Sequence, residues 1–325
     1  MMKRFMILIV LLIFALSLAS CSSEPSDESN AGFSSTVIRI NGSNNQVSAI
    51  QLVIRYKELL EPYLPDGVTV EWTDIANAAD QRDAIVAGRV DIAGVAVPNV
   101  ITALDNGLPL VIISAAAGSP VYMYSNNPDI QKFQDINAET RISLVTKGNA
   151  PHLAFLAKCK DVFGEATIFE NNLVPMPHTE ALASLESGRE LDCSMFSLPT
   201  TLRANEIEGI QMIDDLTPYI NEYGLTSYFV ANEDFYKLNP MLIEAFRMAS
   251  RDAVEYIRNN LSEVSILLGD LYEVDSVHIE EALLDCPPSL EVRGFDRLVD
   301  LMFEAGILAN EPMRLEDLPN FDDIP

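Results

Sequence analysis

The chain has 325 residues with 21 basic and 48 acidic side chains, so its formal net charge at neutral pH is −27. Such an acidic surface repels phosphates, and no basic stretch compensates for it, which argues against nucleic acid as a partner. The three histidines are scattered, and the spaced motifs of metalloenzymes, phosphate-binding loops and serine hydrolases do not occur. We therefore expect no enzyme activity, cofactor or metal.

The N-terminus has the pattern of a secretory signal that ends in a lipobox. Residues 1–4 are basic, residues 5–16 are almost entirely apolar, and small residues precede Cys21. The alternative is an uncleaved membrane anchor, but the apolar run is shorter than the roughly 20 residues that span a bilayer. The pattern resembles the bacterial lipoprotein consensus, which implies cleavage after residue 20 and a lipid anchor on Cys21. Residues 21–35 are polar and predict a flexible tether.

The remaining cysteines, Cys159, Cys193 and Cys286, are odd in number and have no metal-ligand spacing. At most one pair could form a disulfide, and buried free thiols are favoured. Cys159 lies on the apolar face of a predicted helix, which indicates core packing rather than a nucleophile. The roughly 290 residues after the tether exceed the usual size of one domain, so two lobes are expected.

The first half of the folded region alternates predicted strands and helices. Short β-branched runs predict strands, and amphipathic stretches predict helices. The predicted strands cover residues 37–40, 68–72, 90–95 and 110–114, and the predicted helices cover residues 46–60, 78–87 and 99–105. This βα alternation predicts a mostly parallel sheet with helices on both faces.

A second series of the same kind follows residue 124. Strands are predicted at residues 141–145, 165–169 and 191–196, and helices at residues 151–162 and 179–186. After residue 231 the pattern becomes helical, with a long amphipathic helix around residues 242–257. Further helices are predicted at residues 263–268, 277–284 and 295–304, and we expect them to pack on the first lobe.

The two series share an internal repeat. Residues 84–91 are echoed by residues 184–192, each ending in an aspartate, and a proline follows seven positions later, at Pro98 and at Pro199. Each copy predicts a helix with a glycine C-cap, a strand, and a helix started by proline. Chance similarity of αβ units is the alternative, but the shared spacing favours two similar lobes. Asp91 and Asp192 are expected to be structural acceptors.

These features together resemble the substrate-binding proteins of ABC importers for nitrate, sulfonates, taurine and thiamine-precursor pyrimidines. The resemblance rests on the two repeat copies, on residues 107–110 and on residues 227–240. It implies an α/β periplasmic-binding-protein fold of type II, with two mostly parallel sheets and two hinge crossovers near 120–124 and 227–231. The first lobe would comprise residues 36–119 and 232–325, and the second residues 125–226.

The resemblance implies a function in solute capture. A small polar or anionic molecule would bind between the lobes, the hinge would close, and the ligand would pass to an ABC permease with its ATPase. Two alternatives remain open. Relatives of this fold act as enzymes of pyrimidine or menaquinone synthesis, although the lipobox argues against a cytoplasmic enzyme, and a third possibility is a ligand-sensing partner of a membrane receptor.

In open α/β sheets, ligands bind in the loops beyond the carboxyl ends of the strands. Four such loops are candidates, and their alternative roles are ordinary capped turns, tight packing and, for Lys147, a solvated surface lysine. Lys147 is the only cation in these loops. The predicted ligand-binding residues are Ser43, Asn44, Gln46, Ala96, Val97, Ala116, Gly118, Lys147, Gly148, Asn149, His152 and, by the repeat, Ser197.

Overall fold

In the computed structural model, which describes residues 32–42, 49–75, 78–318 and 320–324, the strands form two five-stranded sheets. The strands in chain order are β1 (Val37–Asn41), β2 (Thr69–Thr73), β3 (Ile92–Ala96), β4 (Leu110–Ala115), β5 (Tyr122–Ser125), β6 (Ile142–Leu144), β7 (Leu173–Pro175), β8 (Cys193–Phe196), β9 (Gln211–Asp215) and β10 (Ser227–Asn232).

The α-helices that cover the sheets follow the same chain order. They are α1 (Ala49–Tyr56), α2 (Ala78–Val86), α3 (Val97–Asp105), α4 (Ala150–Phe163), α5 (His178–Ser187), α6 (Thr200–Glu206), α7 (Thr217–Glu222), α8 (Glu233–Leu238), α9 (Pro240–Asn259), α10 (Leu261–Tyr272), α11 (Ser276–Asp285) and α12 (Phe295–Glu304). Among the described residues, no helix is both long and apolar enough to cross a membrane.

The two sheets have the same topology. The first has the strand order β2-β1-β3-β10-β4, and the second has the order β7-β6-β8-β5-β9. In each sheet four strands run in one direction, and the fourth position holds one antiparallel strand, β10 in the first sheet and β5 in the second. This confirms the predicted two-lobed α/β fold with mostly parallel sheets.

The antiparallel strands mark where the chain passes between the sheets. It leaves the first sheet after β4 and enters the second at β5, then returns between β9 and β10. The two connecting segments lie side by side, because Ala116 N–H donates to Ser227 O at 2.8 Å and Leu216 N–H donates to Val121 O at 2.9 Å. Most of the residues expected at the hinge lie within β5 and β10.

The repeated aspartates bind the backbone in the same way in both sheets. Asp91 Oδ2 accepts the N–H of Arg39 in β1 at 2.7 Å, and Asp192 Oδ2 accepts the N–H of Arg141 beside β6 at 2.8 Å. Each carboxylate therefore ties the start of one strand to the neighbouring strand. Their predicted role as structural acceptors is confirmed.

The other features of the repeat also have matching roles. Gly88 follows α2 with φ of 65°, and Gly188 follows α5 with φ of 66°, so both take the left-handed conformation that suits glycine after a helix. Pro98 lies in the first turn of α3, and Pro199 is the N-cap of α6. In both copies the glycine therefore ends one helix, and the proline lies at the start of the next.

One strand prediction for the second sheet was wrong. Residues 165–169 form a turn, and the strand lies at β7 instead. Ala166 and Phe169 are buried while Ile168 is 41% exposed, which is the three-residue spacing of a helical turn and not the alternation of a strand. The sequence prediction also omitted β5, β9 and α7.

The C-terminal helices divide between the sheets. Helix α9 packs on α1 over the first sheet, where Phe229 and Phe246 form an edge-to-face pair with ring centroids 5.0 Å apart. Helices α10 and α11 pack together, and α10 also contacts α1. Helix α12 instead packs on α4, which covers the second sheet, and this differs from the expectation that it would pack on the first lobe.

We predict that Asp91→Ala lowers the free energy of unfolding by about 1–3 kcal/mol, because the Arg39 N–H loses its acceptor. Asp91→Asn keeps an acceptor oxygen and should cost less. Urea denaturation of both variants measures the difference. Equal losses for the two variants would contradict the assigned role of the acceptor oxygen.

Candidate functional site

A cavity of about 750 Å3 lies between the two sheets, a volume within the range of small-molecule sites. Both connecting segments contribute to its wall, through residues 117–121 and 225–227. The loops that follow parallel strands of both sheets open onto it. This is the position at which open α/β sheets bind ligands.

Helix starts from both sheets border the cavity. The first sheet contributes Ala49 of α1 and Ala96 at the start of α3, and the second contributes Ala150 of α4 and Ser197 before α6. The side chains are small, so the backbone lies near the cavity. Helix N-termini of this kind favour anions when their N–H groups are free.

Several N–H groups at the described helix starts already have partners. Val97 N–H donates to Thr226 O at 3.1 Å, and the N–H groups of Thr200 and Thr201 both donate to Ser197 O. The N–H of His152 donates to the Asn149 side chain at 3.0 Å. In addition, the prolines at positions 98, 151 and 199 lack an N–H. These three helix starts therefore offer few donors to an anion.

The opposite wall comes from α10, α11 and the turn between them. It is largely apolar, with the side chains Leu268, Leu271, Val274, Ile279, Ala282 and Leu283. Tyr272 and Glu273 end α10 at the same wall, and burial raises the pKa of Tyr272 to about 12, so its hydroxyl stays protonated. Sequence analysis did not predict this wall, because the helices were expected only to pack on the first lobe.

Glu273 has an unusual backbone conformation. It caps α10 in the left-handed region with φ of 56° and ψ of 41°, where its N–H donates to Gly269 O. A side chain in that region costs about 1–2 kcal/mol relative to right-handed backbone. One other described residue with a side chain has a positive φ, Glu58 at 52°, and it lies outside the cavity.

The structure separates the predicted ligand-binding residues into groups. Ala96, Gly118 and Ser197 lie on the cavity wall. Val97 and Ala116 are not among the lining residues; they are buried to 0% and 2% exposure in the hydrophobic clusters behind the wall. A small apolar residue can pack on the cavity wall or in the core directly behind it. Sequence alone does not distinguish these two positions. Ser43, Asn44, Gln46 and the lipidation site Cys21 lie outside the described residues.

The four predicted residues at the start of α4 form a separate cluster around Glu170. Lys147 Nζ lies 2.5 Å from Glu170 Oε2, and His152 Nε2 lies 3.1 Å from Glu170 Oε1. Gly148 N–H donates to His152 Nδ1, and Asn149 caps the helix. None of the four lines the cavity, although Ala150 of the same helix does. Lys147, the only cation in the four candidate loops, is therefore paired with a carboxylate.

His152 is held as a neutral imidazole. Its side chain is buried, and this burial lowers the pKa, although Glu170 acts in the opposite direction. The hydrogen bonds agree with the lowered pKa, because Nδ1 accepts the Gly148 N–H and only Nε2 carries a proton for Glu170. Protonating Nδ1 would break the bond to Gly148. The cluster thus fixes the start of α4 beside the cavity.

The lowered pKa predicts a pH dependence of stability. Because the unfolded state binds the proton more tightly, the free energy of unfolding should fall as pH drops from about 7 towards 5, through the ordinary histidine pKa of about 6.5. His152→Asn should reduce this slope, leaving the part due to His178, whose pKa burial also lowers. Urea denaturation at several pH values in this range measures the slope in wild type and in the variant.

A slope that is identical in wild type and His152→Asn would show that His152 does not titrate in this way.

The three described cysteines are buried and unpaired, as expected. Burial raises the pKa of Cys193 and Cys286 to about 12 and also raises that of Cys159, so their thiols stay protonated at neutral pH. Among the described residues, no group of three or more His, Cys, Asp and Glu side chains is arranged to hold a metal ion. The chemistry of the cavity is therefore that of its backbone, its apolar surface, Glu273 and neutral hydroxyls, which belong to Ser119, Ser197, Thr226, Ser227 and Tyr272.

Comparison with known proteins gives a family and a fold. The family described as NMT1/THI5 like matches residues 63–263. No curated protein matches the sequence significantly. Among solved structures, the periplasmic aliphatic sulphonate binding protein SsuA from Escherichia coli has a TM-score of 0.72 at 17% identity, covering 89% of this chain and 99% of its own.

Two further structures are similar. The putative periplasmic sulfonate-binding protein SsuA from Methylobacillus flagellatus KT has a TM-score of 0.70 at 17% identity, covering 88% of this chain and 92% of its own. The alkanesulfonate-binding protein SsuA from Xanthomonas axonopodis pv. citri, solved with MOPS, has a TM-score of 0.66 at 14% identity, covering 85% and 95%. At these identities the likeness establishes the fold.

Proposed function

Since the chain belongs to the NMT1/THI5-like family, we propose that it is the extracytoplasmic solute-binding component of an ABC importer. The observation that carries this proposal is the cavity of about 750 Å3 that lies between two lobes of the same topology. The structurally similar proteins include binding proteins for sulfonates, two of them described as periplasmic. The partners would be an ABC permease and its ATPase.

The proposed mechanism is capture and release without covalent chemistry. A solute enters the cavity, the lobes close by bending at the two connecting segments, and the closed form delivers the solute to the permease. The proposed contacts are Ala96, Gly118 and Ser197 on the wall, together with Ser43, Asn44 and Gln46, which precede the wall residue Ala49 in the chain. The cluster of Lys147, Gly148, Asn149 and His152 would support the start of α4.

We also propose that the protein is exported and anchored by lipid on Cys21. The support is the basic, apolar and small-residue pattern of the first 20 residues. The polar residues between Cys21 and residue 31 would tether the binding lobes to the membrane surface. The tether is shorter than the expected residues 21–35, because the N–H groups of Ser34 and Ser35 donate to Asn239 Oδ1 in the first lobe. A tether of this kind keeps the receptor concentrated beside its transporter.

Filling the cavity tests the binding site. We predict that Ala282→Trp abolishes the thermal stabilisation given by the best solute from a screen of anions, sulfonates, pyrimidines and other small heterocycles. The new ring would occupy the cavity, since Ala282 lines it. A solute at about 100 times its Kd stabilises the folded protein by about 2.7 kcal/mol, which a melting curve resolves.

The control is Leu284→Trp on the same helix, because Leu284 is 63% exposed and does not line the cavity. This variant should respond to the solute as wild type does. The proposal fails if no solute raises the melting temperature, or if Ala282→Trp keeps the response.

For the anchor, we predict that Cys21→Ser moves the protein from the membrane fraction to the soluble fraction, because the thiol that receives the lipid is lost. Fractionation of expressing cells followed by immunoblotting measures the distribution. Ser22→Ala, one position further on, is the matched control and should stay with the membrane. Retention of Cys21→Ser in the membrane would refute lipid attachment at this residue.

A further inference from the structure

The geometry points to the chemical class of the solute: a molecule with one positively charged group and an apolar body, for which Glu273 is the counter-ion. The inference rests on the proposed function, because it concerns the same cavity. It differs from the small polar or anionic solute that the sequence analysis predicted. Four observations support it.

The first observation is the charge of the cavity wall. Among the described residues that line it, Glu273 is the single charged side chain, and Lys, Arg and His are absent. Residues 43–48, which precede the wall residue Ala49, contain no charged side chain in their sequence. The chain as a whole carries −27, so the long-range field also attracts cations.

The second observation is the use of the helix-start donors. At the starts of α3, α4 and α6 the N–H groups of Val97, His152, Thr200 and Thr201 are bonded within the protein, and each start includes a proline. An oxyanion needs several free donors to replace its water. The bonded N–H groups are not available for this, the side-chain donors on the described wall are neutral hydroxyls, and Lys147 is engaged with Glu170.

The third observation is the apolar wall. Leu271, Val274 and Ile279 lie beside Glu273 on the same side of the cavity, and Tyr272 adds an aromatic ring. A ligand with an apolar body gains by covering such a wall. An aromatic ring near a carboxylate is also a favourable place for a cation.

The fourth observation is Glu273 itself. Its backbone adopts the left-handed conformation that glycine would occupy without strain, and within the described part of the chain its carboxylate forms no ion pair. The carboxylate is thus left available to a ligand.

Three probes with the same ring test the charge preference: 2-naphthylmethylammonium, 2-naphthylmethanol and 2-naphthalenesulfonate. Calorimetric titration of the purified protein at low salt should give the tightest binding for the ammonium probe and the weakest for the sulfonate. Added salt should weaken binding of the ammonium probe and leave that of the alcohol unchanged. Equal or tighter binding of the sulfonate overturns the inference.

Variants of the two left-handed glutamates test the counter-ion. Glu273→Gln should weaken binding of the ammonium probe about two- to fivefold, the range expected for losing an exposed ion pair, and should leave binding of the alcohol unchanged. Glu58→Gln is the matched control, because Glu58 has the same backbone conformation outside the cavity. It should bind all three probes as wild type does.

The outcomes separate the inference from the proposed function. If probes bind and Ala282→Trp blocks them, but Glu273→Gln has no effect on the ammonium probe, the cavity is a binding site and the inference about its charge is wrong. If no probe binds, the inference is wrong, and the wider solute screen then decides the proposed function on its own.

Discussion

The structure depends on the way the chain passes between its two sheets. Each passage inserts an antiparallel strand, β5 or β10, into a sheet of parallel strands, and hydrogen bonds at Ala116 and Leu216 hold the two connecting segments side by side. Because the segments are short and paired, the loops after the parallel strands of both sheets are brought to one cavity. The cavity is therefore a consequence of topology, and the side chains that line it set only its chemistry.

The C-terminal region adds a further link between the sheets. Helix α12 packs on α4, where Lys160 Nζ lies 2.5 Å from Glu304 Oε2, and the chain then returns to the first sheet, where Asn320 Nδ2 donates to Ile112 O at 2.6 Å. Any bending at the two connecting segments must carry this region with it. A motion that separates α12 from α4 would expose its buried side chains, so we expect α12 to move with the second sheet.

The chemistry of the cavity shows how local and tertiary contacts differ. Lys147 stands in a loop after a strand, which is a position where a lysine can meet an anion, but folding brings Glu170 to it from a distant turn. Glu273 has no such partner among the described ion pairs, and it lies on the wall although nothing in its neighbourhood marks a site. The charge on the cavity wall therefore depends on which charged side chains the fold pairs with each other and which it leaves unpaired.

Sequence alone determined the fold class, most strands and helices, and the structural role of Asp91, because these depend on local periodicity and on a repeat between the halves. It predicted Ala96, Gly118 and Ser197, which the structure places on the wall, since strand ends can be located from the pattern. The turn at residues 165–169, the position of α12 and the wall from α10 and α11 were decided only by tertiary structure. Each depends on contacts between segments far apart in the chain. Such contacts do not produce a periodic pattern of apolar residues in the sequence, so they cannot be predicted from it.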